Sequence, residues 1–171
     1  MRELILGGVR SGKSRLAEQH AGDSGLDVVY VATAQVRDAE MQQRIAQHQA
    51  RRPAHWQVVE AGHNLAQVLQ QQAGAGRCVL VDCLTLWLTQ LLCDLSETEL
   101  RREVDAVLAV LPTLPGQIIL VSNETNMGVV PLGELSRRYC DEAGRLHQQA
   151  GALCDHVILT VAGLPLIVKG S

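Results

Sequence analysis

The stretch Glu3-Leu4-Ile5-Leu6-Gly7-Gly8-Val9-Arg10-Ser11-Gly12-Lys13-Ser14 decides the fold. Residues Gly7 to Ser14 fit the pattern G-x-x-x-x-G-K-[ST] without exception. An apolar run of β type precedes them and a helical pattern, Lys13 to Ala21, follows. That setting predicts a loop whose backbone N–H groups turn inward around phosphate oxygens, helped by the unpaired donors of the first helical turn. Lys13 should reach the β- and γ-phosphates, and the Ser14 hydroxyl should face Mg²⁺. Gly7, Gly8, Val9, Arg10, Ser11 and Gly12 should form the cradle itself.

Outward from this loop, short apolar runs alternate with helical patterns. The runs are Glu3–Leu6, Asp27–Thr33, Cys78–Asp82, Gln117–Ser122, His156–Val161 and Leu164–Lys169. They are nearly continuous in apolar residues, as strands covered on both faces are. The helical patterns are Lys13–Ala21, Arg37–Arg51, Asn64–Gln72, Leu84–Cys93, Glu97–Leu111 and Leu132–Leu153. Ser96 with Glu99 fits a capping box for the fifth of these. Alternation of this kind predicts an α/β three-layer sandwich of the P-loop NTPase type, with a mainly parallel sheet. Only Ala162-Gly163 separates the last two runs, which is too short for a helical crossover. They should form an antiparallel hairpin at the C-terminal edge of the sheet. The 171 residues carry no linker or internal repeat, so residues 1–171 read as one nucleotide-binding domain.

Composition narrows the function classes. The net charge is −3, and aromatic residues make up 2% of the chain with no Phe. No global positive field recruits nucleic acid, and no aromatic platform stacks single strands. No apolar run is long enough to span a bilayer. The N-terminus lacks signal-peptide anatomy, so a cytoplasmic protein is expected. The five cysteines are odd in number, widely spaced and without a CxxC pair. They read as reduced, mostly buried small hydrophobes rather than as a zinc or redox motif.

Two further places carry candidate chemistry. Asp82 ends the apolar strand Cys78–Val81, where a parallel sheet displays ligands at its carboxyl edge. There it can serve Mg²⁺, directly or through water, or simply cap the helix that begins at Leu84. The second place is Arg44 to Trp56, which holds His48, Arg44, Arg51, Arg52, Pro53 and His55. Met41, Ile45 and His48 share one helical face, and spacing alone makes His48 a packing residue. The crowding arginines offer another role. They disfavour imidazolium, leave a ring nitrogen free to attack, and can neutralise a phosphoryl group.

Together these segments resemble a known family. They are Ile5 to Arg15; Tyr30-Val31-Ala32-Thr33-Ala34; Arg44-Ile45 with His48 and Arg51-Arg52-Pro53, then Trp56 and Glu60; Val81 to Trp87; Val121-Ser122-Asn123-Glu124 with Met127 to Pro131; and Ala162-Gly163-Leu164-Pro165. In this order they resemble the bifunctional adenosylcobinamide kinase/adenosylcobinamide-phosphate guanylyltransferases of cobalamin biosynthesis. The resemblance covers nearly the whole chain. It implies transfer of the γ-phosphoryl of ATP or GTP to the aminopropanol hydroxyl of adenosylcobinamide. It implies next that a histidine attacks the α-phosphate of GTP, releases pyrophosphate, and passes GMP to adenosylcobinamide phosphate.

The family's histidine falls on His48, the lone histidine of that stretch, because Gln47 precedes it. The resemblance further implies that Thr33, Ala34, Gln35, Arg51, Arg52, Pro53 and Ala54 line the nucleotide site. Glu60 would contact the nucleotide, Asp82 would serve the metal side, and Asn123-Glu124 would touch substrate or γ-phosphate. A homotrimer is expected on the same ground. Thr125-Asn126 departs from the apolar-glycine pair that many relatives have there.

Two other readings use the same loop. One is a kinase of another small alcohol, with His48 merely structural. The other is a GTPase switch, but the chain has no N-K-x-D element to read guanine. Its D-x-x-G match, Asp141 to Gly144, lies inside a predicted helix.

Overall fold

The computed structural model describes residues 1–34 and 53–170. The expected helix Arg37–Arg51 lies outside the described residues, as do Gln35, His48, Arg51 and Arg52. The strands are β1 (Arg2–Gly7), β2 (Asp27–Ala32), β3 (Gln57–Glu60), β4 (Arg77–Asp82), β5 (Gln117–Asn123), β6 (His156–Val161) and β7 (Leu164–Lys169). The helices are α1 (Lys13–Asp23), α2 (Leu65–Gln72), α3 (Leu84–Asp94), α4 (Glu97–Val110) and α5 (Glu134–Leu153). The strands form one seven-stranded sheet in the order β3-β2-β4-β5-β1-β6-β7. Every pairing is parallel except β6 with β7, the expected edge hairpin.

Successive side chains of a strand point to opposite faces, and along β1, β2, β4 and β5 both faces are covered, whereas every residue of β7 is exposed despite its apolar run. Leu4, Val29, Val31, Val79, Val81, Ile118 and Leu120 join the core beneath the helices after α1. Their neighbours Ile5, Val28, Tyr30, Cys78, Leu80, Ile119 and Val121 pack with Ala17 and Ala21 of α1. This two-sided covering explains the continuous apolar runs. At the core's centre Trp87 is fully buried, and its indole N–H donates to the His63 carbonyl at 2.9 Å.

The five thiols are free, with Cys78, Cys83 and Cys154 buried. Burial pushes Cys78 and Cys83 up to about 11 and Cys154 up to about 12, which keeps all three protonated. The expected capping box is present: the Ser96 hydroxyl accepts from the Glu99 N–H, and the Glu99 carboxylate accepts from the Ser96 N–H.

Element ends differ in ways that local chemistry explains. Helix α4 stops at Val110 and continues as one 3₁₀ turn, Leu111–Thr113, that contains Pro112. Helix α5 begins at Glu134 rather than Leu132, because Gly133 is extended at its N-cap. The D-x-x-G match lies in the body of α5. Strand β3 was not expected: it has four residues, mostly exposed, on an edge. No helix among the described residues is long and apolar enough to cross a membrane.

Trp87→Ala should cost about 4 kcal/mol, through lost burial plus a cavity. Ser96→Ala should cost about 1 kcal/mol. Urea unfolding midpoints at constant m-value would check the ranking.

Candidate active site

Parallel pairing aligns the carboxyl ends of the strands into one edge. Gly7 stands beside both Asn123 and Thr160, and Ala32 beside both Asp82 and Glu60. The phosphate loop leaves this edge at β1 and enters α1 at Lys13. Its turn is closed by Ser11 N–H donating to the Gly8 carbonyl at 3.2 Å and Leu16 N–H to the Gly12 carbonyl at 3.0 Å. Arg10 and Gly12 both hold positive φ, at 57° and 98°. A left-handed arginine is uncommon, and such backbone persists where the surroundings impose it.

The β6–β7 turn supplies part of that constraint. Gly163 N–H donates to the Ser11 carbonyl at 2.8 Å. A Cβ on Gly12 would lie 3.1 Å from the Gly163 Cα. A Cβ on Gly7 would collide with Ser11 Oγ and lie 2.7 Å from the Thr160 carbonyl oxygen. The Ala162-Gly163 hairpin thus abuts the loop, which gives this distant segment a physical part in the site.

Lys13 Nζ donates to the Gly8 carbonyl at 3.2 Å, curling back over the loop. Burial lowers its pKa, and the nearby Cys83 and Asp82 partly oppose that. Asp82 ends β4, where its Oδ2 accepts from the Tyr30 hydroxyl at 3.1 Å. Ser11 Oγ and Thr160 Oγ1 are buried with no partner among the described residues. Orphaned donors beside a glycine cradle suit phosphate oxygens. The Ser14 hydroxyl and the Asp82 carboxylate are hard oxygen donors, the kind Mg²⁺ takes. Among the described residues no group of three or more His, Cys, Asp or Glu could hold a metal.

The remaining expected residues fall as follows. The Thr33 hydroxyl is committed to the backbone after Asp82: it donates to the Cys83 carbonyl and accepts from the Cys83 N–H, both at 2.7 Å. The Gln90 amide donates to the Thr33 carbonyl. Ala34 follows at the same sheet edge, while Pro53 and Ala54 are exposed and Glu60 ends β3. Gln35, His48, Arg51 and Arg52 lie outside the described residues.

One network gave no sequence signal. His147 Nε2 lies 2.8 Å from Ser122 Oγ, which lies 3.3 Å from Thr85 Oγ1. Thr85 Oγ1 in turn accepts from the Asn123 N–H at 2.7 Å. Burial lowers the His147 pKa, with Glu124 partly opposing. The neutral ring therefore ties α5 and α3 to the tip of β5. Glu124 N–H then donates to the Gly7 carbonyl at 3.0 Å, so this tip is held directly against the phosphate loop.

A family model described as cobinamide kinase / cobinamide phosphate guanyltransferase matches residues 3–168. A protein of Pseudomonas aeruginosa named bifunctional adenosylcobalamin biosynthesis protein CobP is 63% identical, over 99% of this chain and 98% of its own length. The Escherichia coli K12 protein named bifunctional adenosylcobalamin biosynthesis protein CobU is 37% identical, over 97% of this chain and 98% of its own. Among solved structures, a Pyrococcus horikoshii protein superposes with TM-score 0.59 at 10% identity, covering 99% of this chain and 86% of that one. The RadB recombinase gives TM-score 0.52 at 18% identity, covering 92% of this chain and 73% of its own. These two structures bear on the fold alone.

Gly12→Ala should weaken triphosphate binding about tenfold, since a left-handed Cβ costs roughly 1–2 kcal/mol; calorimetric titration with GTP would measure it. A second prediction concerns acid. The lowered His147 pKa means the unfolded chain holds more protons below the free histidine value near 6.5. Stability from this group is present above that value and is lost as pH falls toward the folded pKa. Between about pH 7.5 and 5.5, wild type should lose more Tm than His147→Gln.

Proposed function

The chain belongs to the cobinamide kinase / cobinamide phosphate guanyltransferase family, and from that premise we propose how one phosphate loop serves two reactions. The protein is a bifunctional enzyme of adenosylcobalamin biosynthesis, at once a phosphotransferase and a nucleotidyltransferase. Residues 1–171 work as one nucleotide-binding domain. The substrates are ATP or GTP with adenosylcobinamide in the first reaction, and GTP with adenosylcobinamide phosphate in the second.

In the kinase reaction the loop holds the β- and γ-phosphates. The acceptor hydroxyl oxygen bonds to the γ-phosphorus, and the bridging P–O bond breaks toward the nucleoside diphosphate. Lys13 and the inward N–H groups take up charge on the moving phosphoryl oxygens. In the second reaction the same groups hold the same two phosphates, which now leave together as pyrophosphate. His48 attacks the α-phosphorus with a neutral ring nitrogen, and the α–β bridging bond breaks. Adenosylcobinamide phosphate then displaces the imidazole and takes the GMP. Two covalent steps replace one harder step, and imidazole serves as both nucleophile and leaving group.

Arg51 and Arg52, with Pro53, Ala54, Thr33, Ala34, Gln35 and Glu60, would line the nucleotide. Ser14 and Asp82 would hold Mg²⁺, which supplies charge neutralisation on the phosphates when bound. A homotrimer and a cytoplasmic setting belong to the same reading. The apolar edge strand β7, with Leu164, Leu166, Ile167 and Val168 exposed, supports self-association.

The observation that carries this reading is the phosphate loop itself, with Lys13 curled over it and electrostatically close to Asp82. The test uses wild type and His48→Ala, Mg²⁺, and GTP labelled separately at the α and γ positions. Wild type should retain α-label after denaturation and no γ-label, with the bond labile to acid and stable to base. His48→Ala should retain neither. Wild type that never retains α-label would remove the covalent step and leave a kinase.

A further inference from the structure

Beyond the expectation that Asn123-Glu124 touch substrate or γ-phosphate, no role has been given to the acceptor side of the site, and a cavity opens just after these residues in the chain. It measures about 290 Å³ and lies between the loop after β5 and the start of α5. Val129, Val130 and Pro131 line it on one side, with Asn126, Arg137 and Asp141 around them. A continuous set of bonds joins it to the phosphate loop. Glu124 N–H donates to the Gly7 carbonyl at 3.0 Å, and the Glu124 Oε1 accepts from the Asn126 N–H at 2.5 Å. The Asn126 amide then donates to the Cys140 carbonyl in the cavity wall at 2.9 Å. Glu124, itself half-buried, therefore links the loop through its backbone N–H to the cavity-lining Asn126 through its carboxylate.

Two features identify the occupant. The volume falls just below the usual range for small-molecule pockets, roughly 300–1,000 Å³, so it suits a flexible arm and not a whole macrocycle. Outside it lies an apolar rim: Met127, Val129, Val130 and Leu132 are 76%, 95%, 71% and 96% exposed. So much exposed aliphatic surface beside a catalytic loop marks a binding face. An acceptor with a hydroxyl-bearing arm on a large, amide-decorated ring matches both parts.

We propose that this cavity takes the hydroxyl-bearing arm of the acceptor, that the apolar rim takes its ring, and that Glu124 is the base of the phosphoryl transfer. The proposal rests on the kinase reading above. As the acceptor oxygen bonds to the γ-phosphorus, its proton passes to the Glu124 carboxylate. The electron pair of the breaking bridge leaves with the nucleoside diphosphate, and the proton is later lost to water. Arg137, which donates to the Pro131 carbonyl at 3.4 Å and to the Leu132 carbonyl, fixes the cavity wall. It also sets a positive charge beside the arm once that arm carries phosphate.

The experiment compares wild type, Glu124→Gln and Val130→Asp. Adenosylcobinamide binding is read by equilibrium dialysis from corrinoid absorbance, and phosphorylation by steady-state kinetics. Glu124→Gln should bind adenosylcobinamide within about twofold of wild type, lose about 10²-fold or more in kcat, and lose the acid limb of the kcat–pH profile. Val130→Asp changes an exposed residue, so the chain should fold, and it should bind adenosylcobinamide at least tenfold more weakly. Wild-type kcat in Glu124→Gln would overturn the base assignment. Undiminished binding by Val130→Asp would overturn the cavity assignment. If sedimentation changed in Val130→Asp while binding did not, the rim would belong to a second copy and the proposal would fail. Wild type that binds adenosylcobinamide without phosphorylating it would overturn the kinase reading itself, and the base with it.

Discussion

The loop between β1 and α1 must hold a run of backbone N–H groups facing inward, and a free chain does not keep that shape. Here it is clamped from two sides. The β6–β7 turn bonds to it through Gly163 N–H and Ser11 carbonyl, and the tip of β5 bonds to it through Glu124 N–H and Gly7 carbonyl. Both clamps depend on sheet order, because β5 and β6 are the two neighbours of β1. The parallel register brings Asn123 and Thr160 level with Gly7, so loop shape follows from strand pairing. Glycine is required at Gly12 because of its positive φ and the closeness of Gly163.

The same arrangement places β5 between β4 and β1, so its tip stands between the Asp82 end of β4 and the loop after β1. On the proposed reading the phosphates would lie along the loop and Lys13, and the acceptor would approach them from the side of the β5 tip, past Glu124. The neutral His147 behind Ser122 and Thr85 braces that side from α5. A charged imidazole there would add an N–H donor at Nδ1, a buried atom with no partner among the described residues.

Much of this was legible in the residues. The phosphate loop announces itself because its chemistry needs glycines and a lysine at fixed spacing. The sheet interior was legible because strands buried on both faces read as unbroken apolar runs, and the edge hairpin because two residues allow no crossover. Strand β3 was missed for the opposite reason: Gln57–Glu60 is short, on an edge and mostly exposed, so it carries no apolar run. The clamps and the His147–Ser122–Thr85 network were missed because their members come from separate elements. Local patterns do not encode which elements meet. The Thr33 hydroxyl shows the same limit, since its partner Cys83 is fifty residues away.

On the proposed reading one phosphate loop serves both group transfers, holding the β- and γ-phosphates as donor in one and as leaving group in the other. Lys13→Met tests it most directly, with phosphoryl transfer to adenosylcobinamide and pyrophosphate release from GTP measured on the same preparation. Both rates should fall together, by roughly 10²-fold or more, as loss of a charge-stabilising donor does elsewhere. If one rate collapsed while the other stayed at the wild-type value, the two reactions would use separate phosphate sites and a shared loop would be ruled out.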